Sequence, residues 1–174
     1  MSDLATVTRA APRGMITLRG DLSARAVKKA IKDVTSVAPS AGRYVGTAEA
    51  GVAWMSPDEV MILCAYDDVA DALQKIATAC TTEHHLAVDV SDARAVFEVR
   101  GAQAHEVLAR LSPVDLHADR FEVGMMRRTR MAQIAAAFWR HDAGFDVICF
   151  RSVSDYAEEL LANAAKATPT GALG

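Results

Sequence analysis

Aromatic residues are scarce in this chain, at 6% against a hydrophobic fraction of 51%, so its core has to be filled chiefly by Ala, Val, Leu, Ile and Met. Cysteine is equally sparse. Cys64, Cys80 and Cys149 are odd in number and widely spaced, and two of them sit in apolar strand-like runs. Such a set excludes a disulfide framework and reads as reduced core thiols in a reducing compartment. Charge of one sign is lacking too: a formal net charge of -3 over 174 residues supplies no global field toward phosphate backbones or anionic lipid. Met1 to Gly14 has no apolar segment of the kind that begins a secretion signal. No run approaches the roughly 20 apolar residues that span a bilayer, and a cytoplasmic location is expected.

Several chemical motifs are missing as well. There is no G-x-S-x-G elbow, and Ser56, Ser112, Ser152 and Ser154 fall at turn or cap positions where their hydroxyls serve the backbone. Gly42, Gly46 and Gly51 are spaced too loosely for a dinucleotide fingerprint and no G-K-[ST] follows them, so this stretch reads as a connector. Cys80, Glu83, His84 and His85 cluster at the end of a predicted helix, but no second ligand pair with zinc-like spacing accompanies them. A polar helix end, with histidine near the C-terminal dipole, is expected there. Cys149 has His141 eight residues away, yet it lies in a hydrophobic strand where burial makes a thiol inert. An RNA-reading sheet would need a stacking aromatic pair and a basic balance, and neither is found.

What is present is a pattern passed through twice. Met15 to Gly20 alternates as a strand, and Asp21 or Ser23 is placed to cap a helix with Ala26, Ala30, Ile31 and Val34 on one face. Val52 to Met55, a turn at Ser56-Pro57-Asp58 and Val60 to Ala65 read as a hairpin. Asp67 and Asp68 precede a helix with Val69, Ala72, Leu73, Ile76 and Cys80 aligned. The second pass opens with Leu86 to Val90 and Ala95 to Arg100, expected to pair as a hairpin, and continues with a short helix carrying Ala104, Val107, Leu108 and Leu111. Strands Gln133 to Trp139 and Phe145 to Phe150 follow. Ser152 and Asp155 then have capping-box spacing ahead of a helix with Tyr156, Leu160, Leu161 and Ala164 inward.

Side by side, ITLRGD (16–21) matches FEVRGA (97–102), VAWMSPDEVMIL (52–63) matches AAFWRHDAGFDVI (136–148), and VADAL (69–73) matches YAEEL (156–160). The expected fold is α+β, two similar halves of strand, helix, strand, strand, helix at 15–81 and 86–166. A half with so few strands cannot bury its sheet alone, so the halves are expected to share a core. Residues 1–14 and 167–174 are expected to be flexible ends of one domain spanning 15–166.

The one dense polar feature is Gly124 to Gln133, in which Arg127, Arg128 and Arg130 precede an apolar strand. On a strand Arg128 and Arg130 share a face while Arg127 points away. Three readings fit: a solvated edge guarded by charge, contact with a partner protein, or a small anionic ligand held by the guanidinium groups. Trp54 and Trp139 take matching places in the halves, which favours core packing over a stacking site.

SDARAVFEVRGAQAHEVLARLSPVDLH (91–117), FEVGMMRRTRMAQIAAAFWR (121–140) and FDVICFRSVSDYAEELL (145–161) together resemble the gamma subunit of heterotetrameric sarcosine oxidase. The first half joins the resemblance through Trp54 to Val60. Its most specific part is Gly124 to Gln133 with Trp139 and the segment Arg151 to Tyr156. The resemblance implies a small accessory chain beside alpha, beta and delta subunits, which would carry FAD, FMN, NAD and zinc. The complex it implies demethylates sarcosine to glycine and passes the one-carbon unit to tetrahydrofolate. It also implies a fold similar to the folate-binding domain of aminomethyltransferases.

Three functional expectations result. The first is a non-catalytic gamma-type subunit whose contact region includes Arg127, Arg128, Arg130, Gln133 and Trp139, with no cofactor, metal, nucleic acid or membrane bound by this chain alone. The second is a stand-alone folate-binding module, with the arginines on the glutamate tail and Trp139 or Phe138 stacked on the pterin. The third is an enzyme using Cys149 with His141.

Overall fold

The computed structural model describes residues 3–47 and 49–166. In chain order the elements are β1 (Thr6–Arg9), β2 (Gly14–Gly20), α1 (Arg25–Thr35), β3 (Tyr44–Gly46), β4 (Gly51–Ser56), β5 (Glu59–Cys64), α2 (Val69–Ala79), β6 (His85–Asp89), β7 (Arg94–Arg100), α3 (Ala104–Ala109), β8 (Met126–Met131), β9 (Ile134–His141), β10 (Gly144–Phe150) and α4 (Ser154–Ala165). They divide into two compact units, Pro12–Asp92 (the first half) and the remainder of the chain (the second half).

The first half is an antiparallel sheet in the order β3-β4-β5-β2-β6. The second has the order β1-β7-β10-β9-β8, also antiparallel throughout. Written from the other edge, β8-β9-β10-β7-β1 repeats the first half strand for strand. The mixed α+β class and the internal duplication are therefore both present.

Each half has its own helix-side cluster. In the first, Ile16, Leu18, Val60 and Ile62 of the sheet meet Val27, Ala30 and Ile31 of α1 and Ala72 and Ile76 of α2. The spacing of three and four along each helix puts these side chains in one stripe, which is why short helices hold here. In the second, Phe97, Val99, Phe138, Phe145 and Val147 pack with Val107 and Leu108 of α3 and Ala157 and Leu161 of α4. The opposite sheet faces carry buried residues too: Met15, Ala53, Met61 and Leu63 in one half, Val96, Ala137, Trp139 and Ile148 in the other.

Several expectations are corrected. β6 and β7 do not form a hairpin. β6 pairs with β2, placing Val88 opposite Thr17, and β7 lies between β1 and β10. Val90 N–H donates to Met15 O at 2.8 Å and Met15 N–H donates to Ser91 Oγ at 2.9 Å, long-range contacts that tie the end of β6 to the start of β2. Ser91 Oγ–H in turn donates to Asp89 Oδ1 at 2.6 Å.

The N-terminal segment, expected to be loose, is built in. Leu4 and Ala5 are buried, Leu4 N–H donates to Ala165 O at 2.8 Å, and β1 takes the edge that β6 takes in the first half. Arg9 then bridges Asp155 and Glu158, each at 2.6 Å. Asp155 is therefore an ion-pair partner rather than half of a capping box, and α4 begins after Val153 with no side-chain cap. Its buried stripe is Ala157, Leu161, Ala164 and Ala165, which includes the expected Leu161 and Ala164 but leaves Leu160 partly buried and Tyr156 exposed. The expected flexible tail 167–174 lies outside the described residues.

Candidate partner-binding edge

The arginine segment is strand β8, at the margin of its sheet, with β9 as its sole strand neighbour among the described residues. A two-residue turn joins the strands, Met131 facing Ile134 across it. Ala132 adopts φ 49°, an uncommon left-handed conformation for a residue with a Cβ, and its N–H donates to Leu111 O at 2.7 Å. The hairpin tip is thereby fixed to the end of the α3 segment, and Gln133 projects exposed from it.

Alternation along β8 sends Met126, Arg128 and Arg130 to one face and Arg127, Thr129 and Met131 to the other, as the strand period requires. Met131 belongs to the helix-side cluster, so Arg127 leans toward the helices. Its guanidinium lies 5.6 Å from the Phe121 ring centroid and donates to Met126 O at 2.8 Å. Phe121 is a platform that sequence reading missed. It packs tilted against Phe138 and Phe145, with centroids 5.8 and 6.0 Å away. All three arginines are exposed, and Arg130 makes no hydrogen bond or ion pair among the described residues.

Trp139 faces Met126 across the ladder and shares the face of Arg128 and Arg130, but it is 2% exposed. Phe138 is 0% exposed. Neither ring offers a surface on which a pterin would stack. The matching of Trp54 with Trp139 is also corrected. Trp54 pairs with Val60, which faces Leu18, and in the second half Arg140 pairs with Phe145, which faces Val99, so Arg140 takes the place of Trp54 and Phe138 that of Val52. Trp139 lies on the far face, because the sequence match slips where β4 bulges between Trp54 and Ser56.

The polar cluster nearest to catalytic chemistry is Arg100, Asp146, Glu98 and His141, on the far face of the same sheet. Arg100 donates to Asp146 Oδ1 and to Phe145 O, each at 2.6 Å, and lies 3.3 Å from Glu98. Ala143 N–H donates to His141 Nδ1, which puts the ring proton on Nε2. Nε2 is buried 3.3 Å from Asp146 Oδ1 without hydrogen-bond geometry. Burial first, then the Arg100 charge, pushes the His141 pKa down despite Asp146. The first half repeats the pair, with Arg19 donating to Glu59 at 2.7 Å and both carboxylates buried. A feature present in both halves serves the fold, as a cross-strand brace. Its signal was visible in the matched arginines of ITLRGD and FEVRGA.

Cys149 sits in the helix-side cluster while His141 faces the other way, so strand alternation separates the proposed nucleophile and base. Burial raises the pKa of Cys149, and of Cys64 and Cys80, away from the thiolate. Cys80 is fully buried, and His85 Nδ1 pairs with Glu83 O at 3.0 Å. Among the described residues no group of three or more His, Cys, Asp or Glu is placed to hold a metal ion, and no helix is long and apolar enough to cross a membrane.

Comparison with known proteins gives this geometry a context. Residues 19–167 match the model of the sarcosine oxidase, gamma subunit family. A sarcosine oxidase subunit gamma from Corynebacterium sp. (strain P-1) is 33% identical over 100 residues, covering 58% of this chain and 47% of that protein. The chain thus spans about half the length of the curated relatives it matches. Among solved structures, the heterotetrameric sarcosine oxidase from Corynebacterium sp. U-96, in complex with pyrrole 2-carboxylate, contains a chain that superposes with a TM-score of 0.84 at 23% identity, over 95% of this chain and 87% of that one. The glycine cleavage system aminomethyltransferase T from Bartonella henselae gives 0.66 at 11% identity, over 92% of this chain and 45% of that one. Both likenesses are of fold.

Proposed function

Because the chain belongs to the sarcosine oxidase, gamma subunit family, we propose that it is a non-catalytic subunit of a heterotetrameric sarcosine oxidase, held to a larger partner chain through the arginine edge β8. In this reading the oxidative demethylation of sarcosine, and the FAD, FMN, NAD, zinc and tetrahydrofolate it uses, belong to the alpha, beta and delta chains of a cytoplasmic complex.

The observation that carries the reading is the contrast between β8 and its internal duplicate. The first half builds the same edge with Tyr44–Gly46, which has no charge and is preceded by a single arginine, Arg43, whose C=O accepts from Trp54 N–H at 3.0 Å. Three arginines are therefore not something this fold requires at that place. Arginine is enriched where protein surfaces meet, because its planar fork binds carboxylates through two parallel hydrogen bonds. A non-catalytic role is supported by the burial of all three thiols and by the placement of Cys149 and His141 on opposite faces.

Purification of a tagged chain from its native cytoplasm tests this. Flavin absorbance and sarcosine-dependent turnover should elute with the tag, and the chain alone should give neither. A chain that elutes by itself under mild conditions sinks the reading. For the folate-module alternative, calorimetric titration of the isolated chain with tetrahydrofolate should give no heat at high micromolar ligand, since Trp139 and Phe138 are both buried.

A further inference from the structure

We infer that β8 binds its partner through the backbone as well as through charge: an extended acidic segment of the larger chain adds to the sheet as a sixth strand beside β8. The inference rests on the subunit reading above and specifies what meets that edge.

In an antiparallel ladder, successive residues alternately aim their N–H and C=O groups at the neighbour and away from it. Among the described residues β8 pairs with a strand on one side only, so alternate residues from Met126 turn their N–H and C=O away from β9, the Met126 C=O among them already accepting from the Arg127 guanidinium at 2.8 Å. The other three sheet margins are shorter: β1 has 4 residues, β3 has 3 and β6 has 5, against 6 in β8. β1 is also crossed by the Arg9 ion pairs to α4. β8 is thus the longest template, and the fixed turn at Ala132 together with Phe121 under Arg127 holds it in place.

Charge at an edge ordinarily prevents strand pairing. Here it selects the strand instead. Three arginines and no acid would repel a second copy of β8 laid against the first, while directly opposite Asp or Glu residues would be drawn to them. Arg128 and Arg130 on one face and Arg127 on the other call for acidic residues on both faces of the incoming segment. The chain as a whole is acidic, at -3, so this is a local positive row on a molecule that otherwise gives an acidic partner no welcome.

Amide hydrogen exchange on the full chain, free and within the complex purified by its tag, reads the backbone directly. The outward-facing alternate amides of 126–131 should slow by about tenfold or more on assembly while those of 44–46 stay unchanged. An intact, active complex in which the β8 amides exchange as fast as in the free chain overturns strand addition and leaves the subunit reading standing. If the chain recovers no partner at all, both fall. The acidic chemistry is read separately. Arg128→Glu with Arg130→Glu, checked for unchanged melting, should reduce recovery of the complex at least tenfold at low salt, whereas the two Arg→Lys changes should retain most of it. Equal recovery of the Glu variant and the native chain overturns the charge argument.

Discussion

The two halves of this protein are alike in plan and unlike at one margin. Both are five-stranded antiparallel sheets carrying two helices, both carry an arginine–carboxylate brace between equivalent strands, and both close with an added strand, β6 in one and β1 in the other. They part at β3 and β8, where one half has three uncharged residues and the other a six-residue, arginine-rich strand on a hairpin pinned to Leu111. The duplication thus acts as an internal control: what the halves share belongs to the fold, and what one half has alone calls for another explanation.

The largest expected effects test the shared part. Phe138→Ala removes a fully buried ring packed on Phe121 and Phe145 and should cost about 3–5 kcal/mol. Trp54→Ala, at a half-buried helix-side place of the first half, should cost about half that. Urea unfolding of the two variants measures both, and equal losses would break the claim that the two rings differ in burial.

Next come the braces. Asp146→Ala leaves Arg100 facing a buried sheet position and should cost about 3 kcal/mol. Glu59→Ala should cost distinctly less, because the Arg19 side chain is 50% exposed and water can replace the lost carboxylate. A larger loss at Glu59 than at Asp146 would show that exposure of the arginine does not set the cost of losing its carboxylate.

The unshared part should behave in the opposite way. Reversing Arg128 and Arg130 to Glu should change the stability of the isolated chain by no more than about 0.5 kcal/mol per site, since exposed positions seldom carry fold energy. A melting temperature that drops sharply would show that the arginines serve the second half itself rather than a partner.

The smallest effects are in pH. The folded state keeps His141 neutral, so as pH falls through about 6.5 the unfolded chain takes up a proton that the folded chain resists. Stability is lost on the acid side of that value, and His141→Gln should flatten this limb of a melting curve measured against pH. The thiols act at the other end. Above about pH 8.5 the unfolded cysteines ionise while the buried ones hold their protons, so stability falls as pH rises. Two of these groups lie in the first half and one in the second; Cys149→Ala should remove the smaller share.

Much of the fold is legible in the residues alone, wherever the signal is local. Alternation in Met15 to Gly20 and the spacing of Ala30 and Ile31 each state which side is buried, because strand and helix periods are built into neighbouring bonds, although the buried stripe of α1 runs on through Val27 and Thr35 rather than the expected Ala26 and Val34. The internal matches reveal the duplication, and the two-residue strand period is enough to put Arg128 and Arg130 on one face. The family resemblance leads to the same segment.

Other features had no local signal. That Leu86 to Val90 would leave Ala95 to Arg100 and join β2 depended on Ser91 meeting Met15 across 76 residues of chain. That Thr6 to Arg9 would form a strand depended on a vacant edge of β7 and on acids of α4 placed to receive Arg9. The faces taken by Trp54 and Trp139 turned on a single bulge, since one residue of slip reverses every side chain after it. By itself, then, the sequence determined most of the elements, their duplication and the arginine row, all of which follow from near neighbours, but not β1 or β3. Only the tertiary structure decided which strand closes each sheet, and therefore that β8 stands at a margin, because pairing joins segments far apart in the chain whose fit no local pattern records.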